Sequence, residues 1–227
     1  MSLDTASLCL TLRGEPKALL LWLTDPRDRE DADALADLIH ERRGAGFALA
    51  GLHVTDWNRD LSPWSAPPVF GDEPFGGMAK ETLDRLEADV LPEIRRRLDR
   101  EGVSPDLPVC VGGYSLAGLF ALWAFYERPL FAACAAASPS VWFPGWDAYA
   151  DAHAARGPAY LSLGTKEPRT RNRQMATVGD AIRRQLARFE ADGVPCALEW
   201  NEGNHFTEPT ARTAKAFAWA LEHMIES

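Results

Sequence analysis

A serine becomes a nucleophile only when a base can take its proton and a fixed donor can meet the charge that develops on the attacked oxygen. The segment Gly112-Gly113-Tyr114-Ser115-Leu116-Ala117-Gly118 has the residue types for such a site. It follows an apolar run over 108–112 and opens a second one over 116–127, apolar nearly all round. It therefore reads as a sharp strand-to-helix turn, with the Ser115 hydroxyl pushed out at the strand end. Small neighbours are needed there because the turn's backbone is crowded. Gly113 supplies one two residues before the serine, and Ala117, followed by Gly118, stands where glycine is usual two residues after it. The backbone N–H of Leu116 falls at the helix N-terminus, where a developing oxyanion is stabilised. A plain tight turn with a helix N-cap serine is the simpler reading of the same residues. Placement between this strand and this helix favours the nucleophile. No GxxxxGK[ST] phosphate loop occurs.

A serine nucleophile needs a base, usually histidine, oriented by a carboxylate, and on a strand-turn-helix site the chain order is serine, acid, histidine. Five histidines are available. His40, His153 and His223 fall on predicted helices and read as surface or packing residues, and His53 precedes the serine. His205 lies in Trp200-Asn201-Glu202-Gly203-Asn204-His205-Phe206, a glycine-containing loop between the last predicted strand and the last predicted helix. For the acid, Glu167 follows the predicted strand 158–164, and Glu202, three residues from His205, is its rival. Lys166, Arg169 and Arg171 beside Glu167 give it an alternative as a surface ion pair of little energetic weight. A Ser–His dyad is the third option. No HExxH, His/Cys cluster or EF-hand loop occurs, so neither a metal nor a cofactor is implied.

These residues must be brought together by the elements between them. Strands are predicted over 6–12, 18–24, 47–54, 108–112, 131–137, 158–164 and 194–200, and helices over 31–43, 78–100, 116–127, 172–191 and 207–226. His153 is placed in a further Ala-rich helix. The 18–24 run, ALLLWLT, is continuously apolar, as in a strand buried on both faces. Pro92 inside 78–100 predicts a break or kink. Residues 57–77 are rich in Pro, Gly and Trp and have no periodicity. Alternation of strands and helices predicts an α/β architecture, a mostly parallel sheet with helices on both faces. No linker, repeat or low-complexity tract divides residues 1–227, so one domain is expected. Ligands of such sheets bind at the carboxyl ends of the strands, where Ser115, Glu167 and His205 all fall.

Composition narrows the partners. Hydrophobic residues at 46% and charged residues at 25% are ordinary for a globular chain and exclude a disordered one. The net charge of -9 repels phosphate backbones, and the one basic cluster, Arg95-Arg96-Arg97, is surrounded by Glu93, Asp99 and Glu101. Nucleic acid is therefore not an expected partner. No run of 18 apolar residues could span a membrane and no signal peptide is visible. Cys9, Cys110, Cys134 and Cys196 form no CxxC pair and each sits in a predicted strand, as small buried hydrophobes do. A reducing cytoplasm is the expected compartment.

Four stretches together resemble the esterase branch of the α/β-hydrolases that includes siderophore (enterobactin-type) esterases, esterase D and the mycolyltransferases. Gly113-Tyr114-Ser115-Leu116-Ala117-Gly118-Leu119 is similar to that branch's GxSxGG elbow, and Arg59-Asp60-Leu61-Ser62-Pro63 resembles its RDLTP-type loop. Ser138-Pro139-Ser140-Val141-Trp142-Phe143 resembles its SPSxWW segment, and Gly203-Asn204-His205 matches its catalytic-histidine loop. The resemblance runs from about residue 18 to the end. It implies the α/β-hydrolase fold, Ser115 as nucleophile and His205 as base. It also implies an oxyanion hole from the N–H of Leu116 and one from the loop after 18–24. There the chain departs from the Asp-Gly or His-Gly pair usual in that branch, with Thr24-Asp25-Pro26. Proline has no N–H to donate, so Asp25 or a neighbour must serve. Among the loop residues, Arg59 is a candidate to hold an anionic substrate group or, equally, to pair with Asp60 or Asp56, and Trp142 is the preferred pocket aromatic. Trp57, Trp64, Phe143 and Trp146 are read mainly as packing.

The function expected is hydrolysis of a small-molecule carboxylic ester through an acyl-enzyme on Ser115. Acyl transfer to an alcohol, and a non-catalytic binding protein on a hydrolase scaffold, are the alternatives. Siderophore lactones, thioesters, acetylated sugars and xenobiotic esters all fit this description, and any oligomeric state is compatible with it. The elements consume nearly the whole chain, so no large lid is expected, and the pocket should be open and built from loops, chiefly 57–77.

Overall fold

The computed structural model describes residues 8–25, 32–69 and 71–225. At its centre is a seven-stranded sheet built from β1 (Cys9–Arg13), β2 (Leu19–Thr24), β3 (Phe47–His53), β6 (Val109–Tyr114), β7 (Phe131–Ala137), β8 (Ala159–Gly164) and β9 (Cys196–Asn201). The strand order is β1-β3-β2-β6-β7-β8-β9. The edge strand β1 runs antiparallel to β3, and every other pairing in the sheet is parallel. The continuous apolar run of β2 has the expected cause. Leu19, Leu21 and Leu23 pack into one hydrophobic layer and Leu20 and Trp22 into the other. Both faces are covered, so alternation has no polar side to show.

One layer is closed by α1 (Ala32–Arg43) and α8 (Pro209–Ile225), which contribute Leu35, Ile39, Phe217 and Leu221. The other is closed by α3 (Ala79–Arg85), α4 (Leu91–Arg100), α5 (Leu116–Glu127), α6 (Trp146–Asp151) and α7 (Val178–Asp192). Helix α5 is buried over Leu116–Tyr126, as its all-round apolar sequence predicts. All four cysteines lie on strands and are free, and burial pushes the Cys110 and Cys134 thiols well above their usual range, which keeps them inert.

The expected helix over 78–100 is interrupted where proline demands it. Helix α3 passes into one π turn over Leu86–Val90 and that into α4, with Pro92 in its first turn; the wider turn just before the proline accommodates a residue that has no N–H to give. Three expectations are corrected. The helix expected over 172–191 begins at Val178. Asn172 Oδ1 instead accepts from the N–H groups of Gln174 (3.0 Å) and Met175 (3.1 Å), starting a separate 3₁₀ turn over Met175–Thr177. His153 lies beyond α6, which ends at Asp151, and stacks on Tyr149. Residues 57–77 are not wholly irregular. Asp56 caps a single turn, α2 (Trp57–Asp60), and the two-residue strands β4 (Ser65–Ala66) and β5 (Phe75–Gly76) pair antiparallel. Ser62 Oγ locks them together, donating to Asn58 O (2.7 Å) and accepting from Gly77 N (2.8 Å). No large lid is inserted among the described residues. Residues 1–7, 26–31, 70, 226 and 227, and with them Pro26, lie outside the described residues.

Candidate active site

Strand β6 ends at Tyr114, and the chain reverses into α5 through Ser115, whose φ of 59° and ψ of -120° lie outside the conformations a serine prefers. Such a residue costs on the order of 1–3 kcal/mol and persists only when its surroundings hold it. They do so on both sides. Ser115 N–H donates to Ala137 O (3.1 Å), and Ser115 O accepts from Leu119 N (3.0 Å) and Ser140 N (3.1 Å). The tolerance for Ala117 also has a local cause. A Cβ on Gly113 would stand 2.6 Å from the Ala117 Cβ, so the glycine before the serine provides the room that the residue after it occupies. Leu116 is the first residue of α5, where a helix has no internal acceptor for its N–H.

Ser115 Oγ lies 3.0 Å from His205 Nε2, and His205 Nδ1 lies 2.7 Å from Glu167 Oε2. A carboxylate only accepts, so the imidazole proton belongs on Nδ1, and Nε2 is left with the lone pair that faces the serine hydroxyl. The three residues come from three strand ends, after β6, β8 and β9. The histidine loop is shaped by Asn204, whose Oδ1 accepts from Phe206 N (2.9 Å), and by Thr207 Oγ1, which accepts from Asn204 N (3.1 Å). It is tied to the acid's loop by Lys166 N donating to Gly203 O (2.9 Å). Between the two rival acids the geometry discriminates clearly. Glu167 has a nearly buried side chain against the imidazole, whereas Glu202 is 82% exposed beside Lys166 and Thr165.

Glu167 uses its second oxygen for three further bonds. Oε1 accepts from Gly164 N (2.7 Å), Ser138 Oγ (2.9 Å) and Arg212 Nη1 (3.2 Å). Gly164 permits this fold-back, because a Cβ there would stand 2.9 Å from that oxygen and 2.6 Å from Gly203 O. Ser138, like Ser115, has a positive φ (43°). Tyr114 OH donates to His205 O at 2.7 Å, and burial, followed by the charge of Glu167, pushes its phenol above the usual range, so the hydroxyl keeps its proton. Tyr114 and Ser138 lie inside motifs that give them no task of their own, and Arg212 lies in no motif. The available signal was a charged residue on the inward face of α8, one turn before Ala216 and at the helix end that meets the carboxyl edge of the sheet.

A cleft of about 310 Å³ opens beside His205 and Glu167. Trp142, Met175 and Phe206 give it apolar walls, and Lys166 and Arg169 stand on its rim. Trp142 packs edge-on to Phe75 in this wall. Arg59 is elsewhere. Its guanidinium stands 3.8 Å from both Asp56 and Asp60, and it does not line the cleft. Trp146 is fully buried and Trp64 Nε1 donates to Pro144 O (2.7 Å), so both are packing residues. Asp25 directly follows β2, and its carbonyl lies 3.3 Å from His53 Nδ1. Among the described residues no group of three or more His, Cys, Asp or Glu could hold a metal ion, and no helix is long and apolar enough to cross a membrane.

No family model matches the chain, and no curated protein matches it by sequence. Solved structures do match. The siderophore hydrolase EstA from Aspergillus nidulans is 21% identical with a TM-score of 0.68, over 95% of this chain and 89% of that one. An IroE-like serine hydrolase from Shewanella oneidensis is 16% identical with a TM-score of 0.74, over 96% of this chain and 78% of that one. The enterobactin esterase FES from Shigella flexneri is 18% identical with a TM-score of 0.67, over 95% of this chain but only 55% of its own. The chain has the α/β-hydrolase fold of these esterases.

Proposed function

We propose that the chain is a serine hydrolase of small-molecule carboxylic esters, with Ser115, His205 and Glu167 as its catalytic triad. The observation that carries this reading is the unbroken hydrogen-bonded line from Ser115 Oγ through both imidazole nitrogens to Glu167 Oε2, at 3.0 and 2.7 Å. Ser115 Oγ attacks the ester carbonyl while His205 Nε2 takes its proton. The imidazolium is stabilised by Glu167 and then gives that proton to the departing alkoxide, leaving an acyl-enzyme. A water activated by His205 attacks the acyl carbon, and the returning proton restores Ser115. The N–H of Leu116 and that of Asp25 are the proposed oxyanion donors. The loops after β6, β8 and β9 of one continuous sheet meet at this site, which supports reading residues 1–227 as one functional domain.

The cleft supports a substrate with an apolar or aromatic portion beside the reacting carbonyl, and Trp142 is its proposed binding residue. EstA and FES are named for siderophore and enterobactin hydrolysis, so a siderophore lactone belongs in the first substrate panel, beside chromogenic esters of increasing acyl length. The decisive measurement is labelling by a fluorophosphonate probe with peptide mapping. An adduct on Ser115 is expected, and Ser115→Ala should lose both the adduct and about 10⁴–10⁶-fold in kcat. Ester hydrolysis undiminished in Ser115→Ala would overturn the reading.

A further inference from the structure

Helix α8 sends one charged side chain into the protein. Arg212 is 2% exposed and sits in the first turn of that helix, at the carboxyl edge of the sheet. A buried guanidinium is costly unless its donors are used and its charge is met. Here Nη1 and Nη2 both donate and the charge faces the Glu167 carboxylate, and the partners are the loops of the site. Nη1 donates to Glu167 Oε1 (3.2 Å) and to Tyr114 OH (3.2 Å), and Nη2 donates to Glu202 O (3.0 Å). Tyr114 OH in turn donates to His205 O (2.7 Å). One planar fork thus joins the residue before the nucleophile, the acid, and the backbone on both sides of Gly203 in the base's loop. Arg212 itself does not line the cleft, and none of these bonds is made to Ser115 Oγ or to an imidazole nitrogen of His205.

We propose that Arg212 is the positioning residue of this site, clamping the Glu167 carboxylate and the His205 loop to the end of β6 so that the Ser115–His205 distance is held. The inference rests on the esterase reading above. Arginine suits this task better than lysine, because a rigid fork reaches several acceptors at once, whereas an ammonium on a flexible stem is a point charge. Reaction geometry is sensitive to such support, since a displacement of about 1 Å can cost on the order of 10²-fold in rate.

The test compares Arg212→Met, Arg212→Lys and Tyr114→Phe with the unaltered chain, using a chromogenic ester and the fluorophosphonate probe, at a temperature where circular dichroism shows each variant folded. Arg212→Met should lower kcat by about 10- to 100-fold with KM within about threefold. Arg212→Lys, which restores the charge opposite Glu167 but not the bridge to Glu202 O, should recover part of that loss. Tyr114→Phe should lower kcat by about three- to tenfold at unchanged KM. A folded Arg212→Met with kcat within about threefold of the unaltered chain, or with only KM raised, overturns the proposal. If Arg212→Met does not fold, Arg212→Lys decides. A fall in kcat at unchanged KM supports the clamp, and a kcat within about twofold overturns it. If the unaltered chain neither labels at Ser115 nor turns over esters, the esterase reading itself fails and takes the clamp with it.

Discussion

The two oxygens of Glu167 have separate tasks, and that division makes the acid testable at the scale of one residue. Oε2 faces His205 Nδ1, while Oε1 is held by three donors, from Gly164, Ser138 and Arg212. In Glu167→Gln the amide oxygen must take the Oε1 place, because an NH₂ group there would face three other donors. The amide NH₂ then points at Nδ1, which has to accept, and the imidazole proton moves to Nε2, where it can no longer receive a proton from Ser115. A loss of about 10²–10⁴-fold in kcat is expected, together with a lower Tm, because the buried Arg212 guanidinium loses its counter-charge. Glu202→Gln should stay within about twofold, since that side chain is exposed and its partners are Lys166 and Thr165. Equal losses in the two variants would contradict the assignment of the acid.

At the scale of elements, the close approach of α8 to the sheet places Arg212. Gly112 on β6 makes that approach possible, because a Cβ there would stand 2.6 Å from Phe217 Cζ on α8 and 2.8 Å from Ala135 O. Gly112→Ala should therefore destabilise the fold by about 1–3 kcal/mol through overpacking. Phe217→Leu alone should also destabilise, by opening space in the layer it fills. Combined, the two should cost less than their sum in chemical denaturation, because the smaller side chain relieves the clash. Strict additivity would show that the glycine's role lies elsewhere. The elements themselves were legible because their signals are local. The β2 run, the Pro92 interruption, and the glycines and apolar helix around Ser115 each carry their cause within a few residues. Ser115 and His205 were legible as candidates because chain order and strand ends limit where such side chains can fall, whereas Glu167 and Glu202 both satisfy that rule, and only distance and burial separate them. Arg212 was not legible, since periodicity marks which face a residue shares but not what a polar side chain meets there. The late start of α7 was hidden in the same way, as Asn172 suits either a helix or the cap it actually forms.

At the scale of the whole molecule, charge is distributed against its own average. The chain carries a net -9, which disfavours the approach of anions from a distance, yet Lys166 and Arg169 stand on the rim of the cleft that His205 and Glu167 share. Arg59, the cation first considered for an anionic group, is instead set between Asp56 and Asp60. Salt screens long-range repulsion over about 10 Å at 0.1 M, while a bound anion only a few ångströms from Arg169 is screened less. The net charge should then govern encounter and the rim should govern binding. For a matched pair of chromogenic esters, one neutral and one bearing a carboxylate on its acyl chain, Arg169→Glu should lower kcat/KM about five- to tenfold for the anionic ester. The neutral ester should change by less than about twofold, because Arg169 touches none of the triad's hydrogen bonds. Raising the salt to 0.5 M or so should shrink the difference between the two esters in Arg169→Glu. An equal loss for both esters would show that Arg169 supports the loop after β8 and does not select among substrates.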